Sequence, residues 1–263
     1  MRGRTKLVSI AAILSVMFVT SVIFSSGALN VSSLSLFSTP VYPDATTNVF
    51  VTPSAIVKDY VLDPGYQVGN LLQVHVNITD AVDLFSYQVN VTWSTSMLNF
   101  TRIVAYGDFL DRTGSPYGTS RIEPTWTASN VTGFASIAET VLGDVAGITG
   151  SGRLFTIEFL IRGYGSATIG ISSAGTLPTM LLDSTGATIT FTTASCYFRN
   201  ALKGDATLNK IVDSADISRI IYHRNGPPPG PGGYNRDADI NDNGIIDSAD
   251  ISLVIANRGR TAP

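Results

Sequence analysis

Asp239-Ile240-Asn241-Asp242-Asn243-Gly244-Ile245-Ile246-Asp247-Ser248-Ala249-Asp250 sets oxygen-bearing side chains at alternate positions of a short stretch with one glycine at its centre. A hard divalent cation takes about six to eight oxygens, and alternate residues of a tightly turned loop direct theirs inward. Asp239, Asn241, Asn243, Ile245 (through its carbonyl), Asp247 and Asp250 fall at positions 1, 3, 5, 7, 9 and 12 of such a loop. Gly244, at position 6, supplies the positive φ of the turn. The same frame stands 34 residues earlier as Asp205, Thr207, Asn209, Ile211, Asp213 and Asp216, and both copies close on Asp-Ser-Ala-Asp-Ile-Ser. The duplication predicts two bound calcium ions. Lys210 replaces the glycine of loop one, and a non-glycine residue in the left-handed region costs on the order of 1 kcal/mol. With the neutral Thr207 as a ligand, loop one is expected to be the weaker site. Ligation through the position-7 carbonyl leaves Ile245 expected to pack inward.

Each loop leads into a helix. Asp213 and Asp247 are placed to cap them, with Asp216 and Asp250 in the first turn. Ile217, Ile220 and Ile221 make one apolar stripe, and Ile251, Val254 and Ile255 its twin. The loops are of EF-hand type, but the entering helix is missing: Cys196–Gly204 is too short, and the Pro- and Gly-rich run 227–233 cannot be helical. Two loop–helix units with Asp at position 12 resemble the dockerin domain, over residues 203–260. The resemblance implies a calcium-folded module that docks onto a cohesin-type domain, on another protein or on another copy. It also implies that Ser214, Ala215, Ser248 and Ala249 belong to the partner surface, whose repetition would allow docking in either orientation.

Residues 46–200 alternate apolar and polar positions in short runs separated by Gly, Pro, Asn and Asp. Strands are expected at 48–58, 70–79, 84–93, 98–106, 133–142, 153–162, 165–172 and 187–198, about nine in all, and no helical period lasts. One buried face per strand implies a two-sheet sandwich. Leu84–Trp93 followed by Ser94-Thr95-Ser96-Met97-Leu98-Asn99-Phe100, together with Gly152-Arg153-Leu154-Phe155-Thr156-Ile157-Glu158-Phe159, resembles the cohesin domain, a jelly-roll sandwich. The fold class is therefore mainly β: a cohesin-like sandwich plus a small α-helical dockerin module with two EF-hand-like loops. The resemblance implies that Ser86, Gln88 and Asn90 lie on a face receiving a dockerin. Asn90 also begins an Asn-x-Ser/Thr sequon, and a glycan there would obstruct that face; the other sequons are at Asn30, Asn77, Asn99 and Asn130.

The amino end carries Arg2, Arg4 and Lys6, an uncharged apolar run Leu7–Phe24 and then Ser26-Gly27-Ala28. This predicts a signal peptide over 1–28 or an uncleaved N-terminal anchor, with a Ser/Thr/Pro spacer at 29–45 and the remainder outside the cell or at its surface. Cys196 is the single cysteine, so no disulfide forms within one chain. With 14% charged residues and a net charge of −3 there is no basic patch for nucleic acid. Eight of the seventeen Asp residues fall within 205–250, so the acidity belongs to the loops. His75, His223, Glu123, Glu139 and Glu158 sit in no catalytic motif, and an Asp108–Glu139 pair leaves no mark that a sequence would show. Cys196, in an apolar strand, is expected to be buried and inert, and Trp93 to be core. Tyr106, Tyr117 and Trp126 are the candidates for a sugar platform. The reading is a non-enzymatic assembly protein whose sandwich receives another dockerin-bearing protein or acts as a surface-binding module. The alternative is a polysaccharide-binding surface protein with a calcium-stabilised tail.

Overall fold

The computed structural model describes residues 46–107, 109–110, 121–175, 177–225 and 229–263, residues 121–124 by their backbone only. The chain divides into two units, 1–43 and 44–263. The signal or anchor, the spacer, Asn30, Asp108 and Tyr117 lie outside the described residues. No helix of the described residues is long and apolar enough to cross a membrane.

The strands are β1 (Thr47–Thr52), β2 (Ala55–Asp59), β3 (Leu71–Thr92), β4 (Leu98–Tyr106), β5 (Arg121–Ser129), β6 (Phe134–Val141), β7 (Ile148–Ile161), β8 (Gly165–Ile171), β9 (Met180–Asp183), β10 (Phe191–Ala194) and β11 (Cys196–Ala201). Helices α1 (Ser214–His223) and α2 (Ser248–Asn257) follow. The 70–79 and 84–93 segments, expected as two strands, form the single strand β3, which serves both layers of the sandwich. Its first half lies between β7 and β1, pairing Val74 with Ile157 and Ile78 with Val49. Its second half lies between β6 on one side and β9 and β8 on the other, pairing Val89 with Ile137 and Val91 with Ile171. The layers are β4-β7-β3-β1-β10 and β5-β6-β3-β8-β11-β2, with β9 also beside β3.

The change of layer occurs at Asp80 and Asp83, both at φ 54°, where the register slips twice. Across this bulge the buried positions switch from even (Leu72, Val74, Val76, Ile78) to odd (Tyr87, Val89, Val91). Each half thus turns its apolar side to one shared core. Asp83 holds the crossing with its carboxylate, accepting from the Gly147 amide and from the Ser184 hydroxyl at 2.6 Å. The core centres on Phe155, Phe159 and Phe198, with Trp93 edge-on to Phe159 at 5.0 Å. A second, smaller cluster (Leu202, Ala206, Val212, Ile220, Ala238, Ile240, Ile246, Val254) belongs to the loop–helix repeat. The molecule is mainly β with a small helical C-terminal module.

Candidate calcium-binding and docking module

In each loop the last two candidate ligands cap the helix that follows. Asp213 accepts from the Ala215 amide at 2.7 Å, and Asp216 reaches back to the Asp213 amide at 2.8 Å. Asp247 and Asp250 repeat this capping box on α2, at 2.7 and 2.9 Å. Asp216 Oδ1 accepts from the amide of Thr207, and Asp250 Oδ1 from those of Ile240 and Asn241. At the loop entrances Asp205 accepts from the Asn209 and Lys210 amides at 3.1 and 2.8 Å, and Asp239 from Asn243 and Gly244 at 3.1 and 2.7 Å. Asn209 and Asn243 close the turn on the amides of Ile211 and Ile245. Lys210 stands at φ 74° where Gly244 stands at φ 84°, so the loops share a backbone although one lacks its glycine.

Asp205, Asp216, Asp239 and Asp250 are buried, and none takes part in an ion pair among the described residues. Burial pushes the Asp250 carboxyl above its usual value, and the neighbouring Asp239 adds to this against the opposing amide hydrogen bonds. Buried carboxylates of one sign, held by amides and hydroxyls, suit an added cation. Among the described residues no three Asp, Glu, His or Cys side chains are gathered as a metal cluster. The donors of each loop are instead mixed, Asp with Asn, Thr and a main-chain carbonyl, a set that suits calcium.

Ile245 does not pack inward. It is 49% exposed and Ile211 45%, while the next residues, Ile246 and Val212, are fully buried. A residue that offers its carbonyl to the loop interior turns its side chain out, and the following one turns in. The expected helix stripes are also narrower: Ile220 and Val254 are buried, but Ile221 and Ile255 are 53% and 60% exposed. Ser214, Ala215, Ser248 and Ala249 are all exposed. One turn apart or two, Ser214, Ser218 and Ile221 share one side of α1, as Ser248, Ser252 and Ile255 do on α2.

The module is fastened to the sandwich by residues that the sequence did not single out. Arg260 forms a two-pronged pair with Asp59, both contacts 2.8 Å. The Tyr197 hydroxyl donates to Asp237 at 2.6 Å, with the Arg236 guanidinium 4.3 Å from the Tyr197 ring centre. Arg199, buried in β11, donates to the carbonyl of Asp205 at 2.7 Å. The hydroxyls of Tyr164 and Tyr234 donate to Asp205 and Asp239, at 2.5 and 3.0 Å. Burial drives the Tyr164 phenol far above its usual value and Tyr234 to about 12, so both remain donors. Tyr234 stands only five residues before Asp239, but the 34-residue frame puts Asn200 at its counterpart and so does not flag it; nothing local marks Tyr164.

On the sandwich, Ser86 and Asn90 do not offer an open face. Both are buried, Asn90 at 7% exposure. Ser172, Pro178 and Thr179 lie against this stretch of β3: Thr179 Oγ1 accepts from the Asn90 amide at 3.0 Å, the Asn90 carbonyl accepts from the Ser172 amide at 2.9 Å, and Gln88 donates to the Pro178 carbonyl at 2.8 Å. Asn77 and Asn99 are half-buried, and the exposed Asn130 donates from its amide to the Phe100 carbonyl at 3.0 Å. Of the aromatic candidates, Trp126 is 49% exposed, whereas Tyr106 packs against the core. His75 meets Thr156, His223 meets the Gly232 and Gly233 carbonyls, Glu139 accepts from Tyr87, and Glu158 accepts from Arg102 and Gln73. Cys196 is buried, and burial raises its thiol to about 11.

Residues 203–257 match the dockerin type I domain. Among solved structures the chain is similar to a non-cellulosomal cohesin from the hyperthermophilic archaeon Archaeoglobus fulgidus, at 16% identity over 62% of this chain and 96% of that one (TM-score 0.43). It is also similar to the third cohesin ScaC, in complex with the ScaB dockerin, from Acetivibrio cellulolyticus, at 15% identity over 59% and 99% (TM-score 0.46). A Coh-OlpA-Doc918 complex from Clostridium thermocellum aligns at 10% identity over 59% and 99% (TM-score 0.44). No curated protein matches the chain.

Proposed function

We propose that this chain is a non-catalytic component of an extracellular or cell-surface assembly, docking through its loop–helix repeat onto a cohesin-type partner. The observation that carries this reading is the repeat itself: a dockerin type I match whose two loops share one hydrogen-bond pattern and whose two Ser-Ala helix starts are both exposed. Calcium supplies the positive charge that the buried carboxylates lack, with Asp205, Thr207, Asn209, Ile211, Asp213 and Asp216 holding one ion. Asp239, Asn241, Asn243, Ile245, Asp247 and Asp250 hold the other. These residues orient the first turns of α1 and α2 and so present Ser214, Ala215, Ser248 and Ala249. The export of the chain is supported by its basic start and apolar Leu7–Phe24 run.

The test is retention of cohesin domains by the immobilised chain in calcium and in chelator. We expect calcium-dependent retention that survives Ser214→Asp with Ala215→Arg, survives the same pair of changes at 248 and 249, and fails when both pairs are combined. Retention on insoluble polysaccharide regardless of calcium, with no cohesin domain held, would replace this reading by the polysaccharide-binding one.

A further inference from the structure

The two position-1 aspartates have the same surroundings built from different parts of the chain. Asp239 Oδ2 accepts from the Gly244 amide and from the hydroxyl of Tyr234, which lies in the run-in to loop two. Asp205 Oδ2 accepts from the Lys210 amide and from the hydroxyl of Tyr164, in the turn between β7 and β8 of the sandwich. In the 34-residue frame the counterpart of Tyr234 is Asn200. Asn200 is fully buried at the end of β11 and does not touch the loop's carboxylates. Its side chain fixes the turn that bears Tyr164, accepting from the Gly165 amide at 3.1 Å and donating to the Gly163 carbonyl at 2.9 Å. The Tyr164 hydroxyl in turn accepts from the Leu202 amide at 2.9 Å, and its ring stands edge-on to Tyr60 at 5.1 Å. The phenol therefore has a fixed position, one hydrogen to give, and gives it to Asp205.

We infer that Tyr164 is a positioning residue for calcium at loop one, so that the β-sandwich completes this site, whereas loop two is completed within the repeat by Tyr234. The inference rests on the calcium reading above. A position-1 carboxylate with one oxygen held by a phenol and an amide has its rotamer set, leaving Oδ1 with the loop residues Thr207 and Asn209. Partners of this kind typically tune metal affinity by about 10- to 100-fold. Ion binding at loop one and seating of the module on the sandwich are then linked, and linkage is reciprocal.

The experiment uses the full chain with one loop disabled at a time. With loop two silenced by Asp239→Asn, calorimetric titration reports loop one, and Tyr164→Phe is expected to weaken that event about tenfold. With loop one silenced by Asp205→Asn, Tyr164→Phe is expected to leave the remaining event unchanged, and Tyr234→Phe to weaken it. Hydrogen exchange on the unaltered chain gives a readout that needs no variant: calcium should slow the amides of 163–165 together with those of loop one. Calcium binding at loop one unaffected by Tyr164→Phe, or calcium-insensitive exchange at 163–165, would overturn the inference and leave the calcium reading standing. No calcium binding by the unaltered chain would overturn both.

Discussion

Arg260 and Asp59 stand 201 residues apart in the chain and meet as a fork on a carboxylate, Nη1 to Oδ2 and Nη2 to Oδ1, each at 2.8 Å. Asp59 ends β2 and Arg260 follows α2, so the pair ties the sandwich to the last turn of the repeat. Paired charge-assisted hydrogen bonds at a partly buried site typically contribute about 1.5–3 kcal/mol. Asp59 retains the amides of Val61, Leu62 and Lys203 when the guanidinium is removed. Arg260→Ala is therefore expected to lower stability by about 1–2 kcal/mol. Arg260→Lys should recover only part, because an ammonium lacks the fork. Urea unfolding of the three chains measures this.

The same pair sets a pH dependence. Burial alone would raise the Asp59 carboxyl, but the Arg260 guanidinium and the amides of Lys203, Leu62 and Val61 outweigh it and hold it at about 2. A carboxyl depressed in the folded state gives stability that is complete above its unfolded value, near 3.9. That contribution is lost as the pH falls from there through about 2. The stability gap between the unaltered chain and Arg260→Ala should stay constant from about pH 5 to 8 and shrink below about pH 4. A gap that widens in acid would contradict the assignment.

Lys210 and Gly244 hold the same left-handed position in their loops, at φ 74° and 84°. A Cβ added at Gly244 would meet nothing within 4 Å, so Gly244→Ala is penalised by conformation alone. The expected loss is about 1 kcal/mol. Lys210→Gly relieves the corresponding strain in loop one and is expected to gain up to about 1 kcal/mol. That gain is reduced by losing the Lys210 Nζ bond to the Pro263 carbonyl. Thermal unfolding in saturating calcium checks both signs.

The loop and cap geometry was legible because it is local: positions 1 to 12 are contiguous, and the Asp213, Asp216, Asp247 and Asp250 that the frame picks out are the residues that cap the helices. The sandwich was legible as alternation, which marked Val74–Ile78 and Tyr87–Val91 as inward-facing. The joining of these two runs into β3 was not, since Asp80 and Asp83 look like turn formers until Ser151 is brought to Asp80, and Gly147 and Ser184 to Asp83, from distant elements. β5 was missed because the residues between the strands expected at 98–106 and 133–142 carry few periodic apolar positions, and β5 forms against β6. The contacts that close in Asn90 come from Ser172 and Thr179, and Tyr164 reaches Asp205 across 41 positions. Neither contact has a local pattern that a sequence reading would catch.

Asn90 illustrates how a sequon loses meaning once folded. Its residue is 7% exposed beneath Thr179. Its neighbours Ser172 and Thr179 are hydrogen-bonded to its backbone, so the side chain does not stand clear of the sheet as a glycan-bearing residue must. Peptide mapping of the folded protein is expected to find Asn90 unmodified. Folded protein bearing a glycan at Asn90 would show that Ser172 and Thr179 do not lie against Asn90 as the structure places them.

Calcium removal should act unevenly, because the two hydrophobic clusters are separate. The four buried aspartates, Asp205, Asp216, Asp239 and Asp250, all lie in the repeat, whereas Trp93 and Trp126 both lie in the sandwich. A ligand that binds only the folded state adds about 2.7 kcal/mol per site at a hundredfold excess over its Kd. Adding calcium should therefore slow amide exchange strongly across residues 205–257 and move the tryptophan fluorescence transition much less. Magnesium should reproduce little of the effect, because it demands a tighter octahedral shell than a mixed, flexible oxygen loop provides. Equal stabilisation of both clusters by calcium would mean that the Arg260–Asp59, Tyr197–Asp237 and Tyr164–Asp205 contacts fuse them into one unfolding unit. A single transition for exchange and fluorescence, shifted together by calcium, is the observation that would establish it.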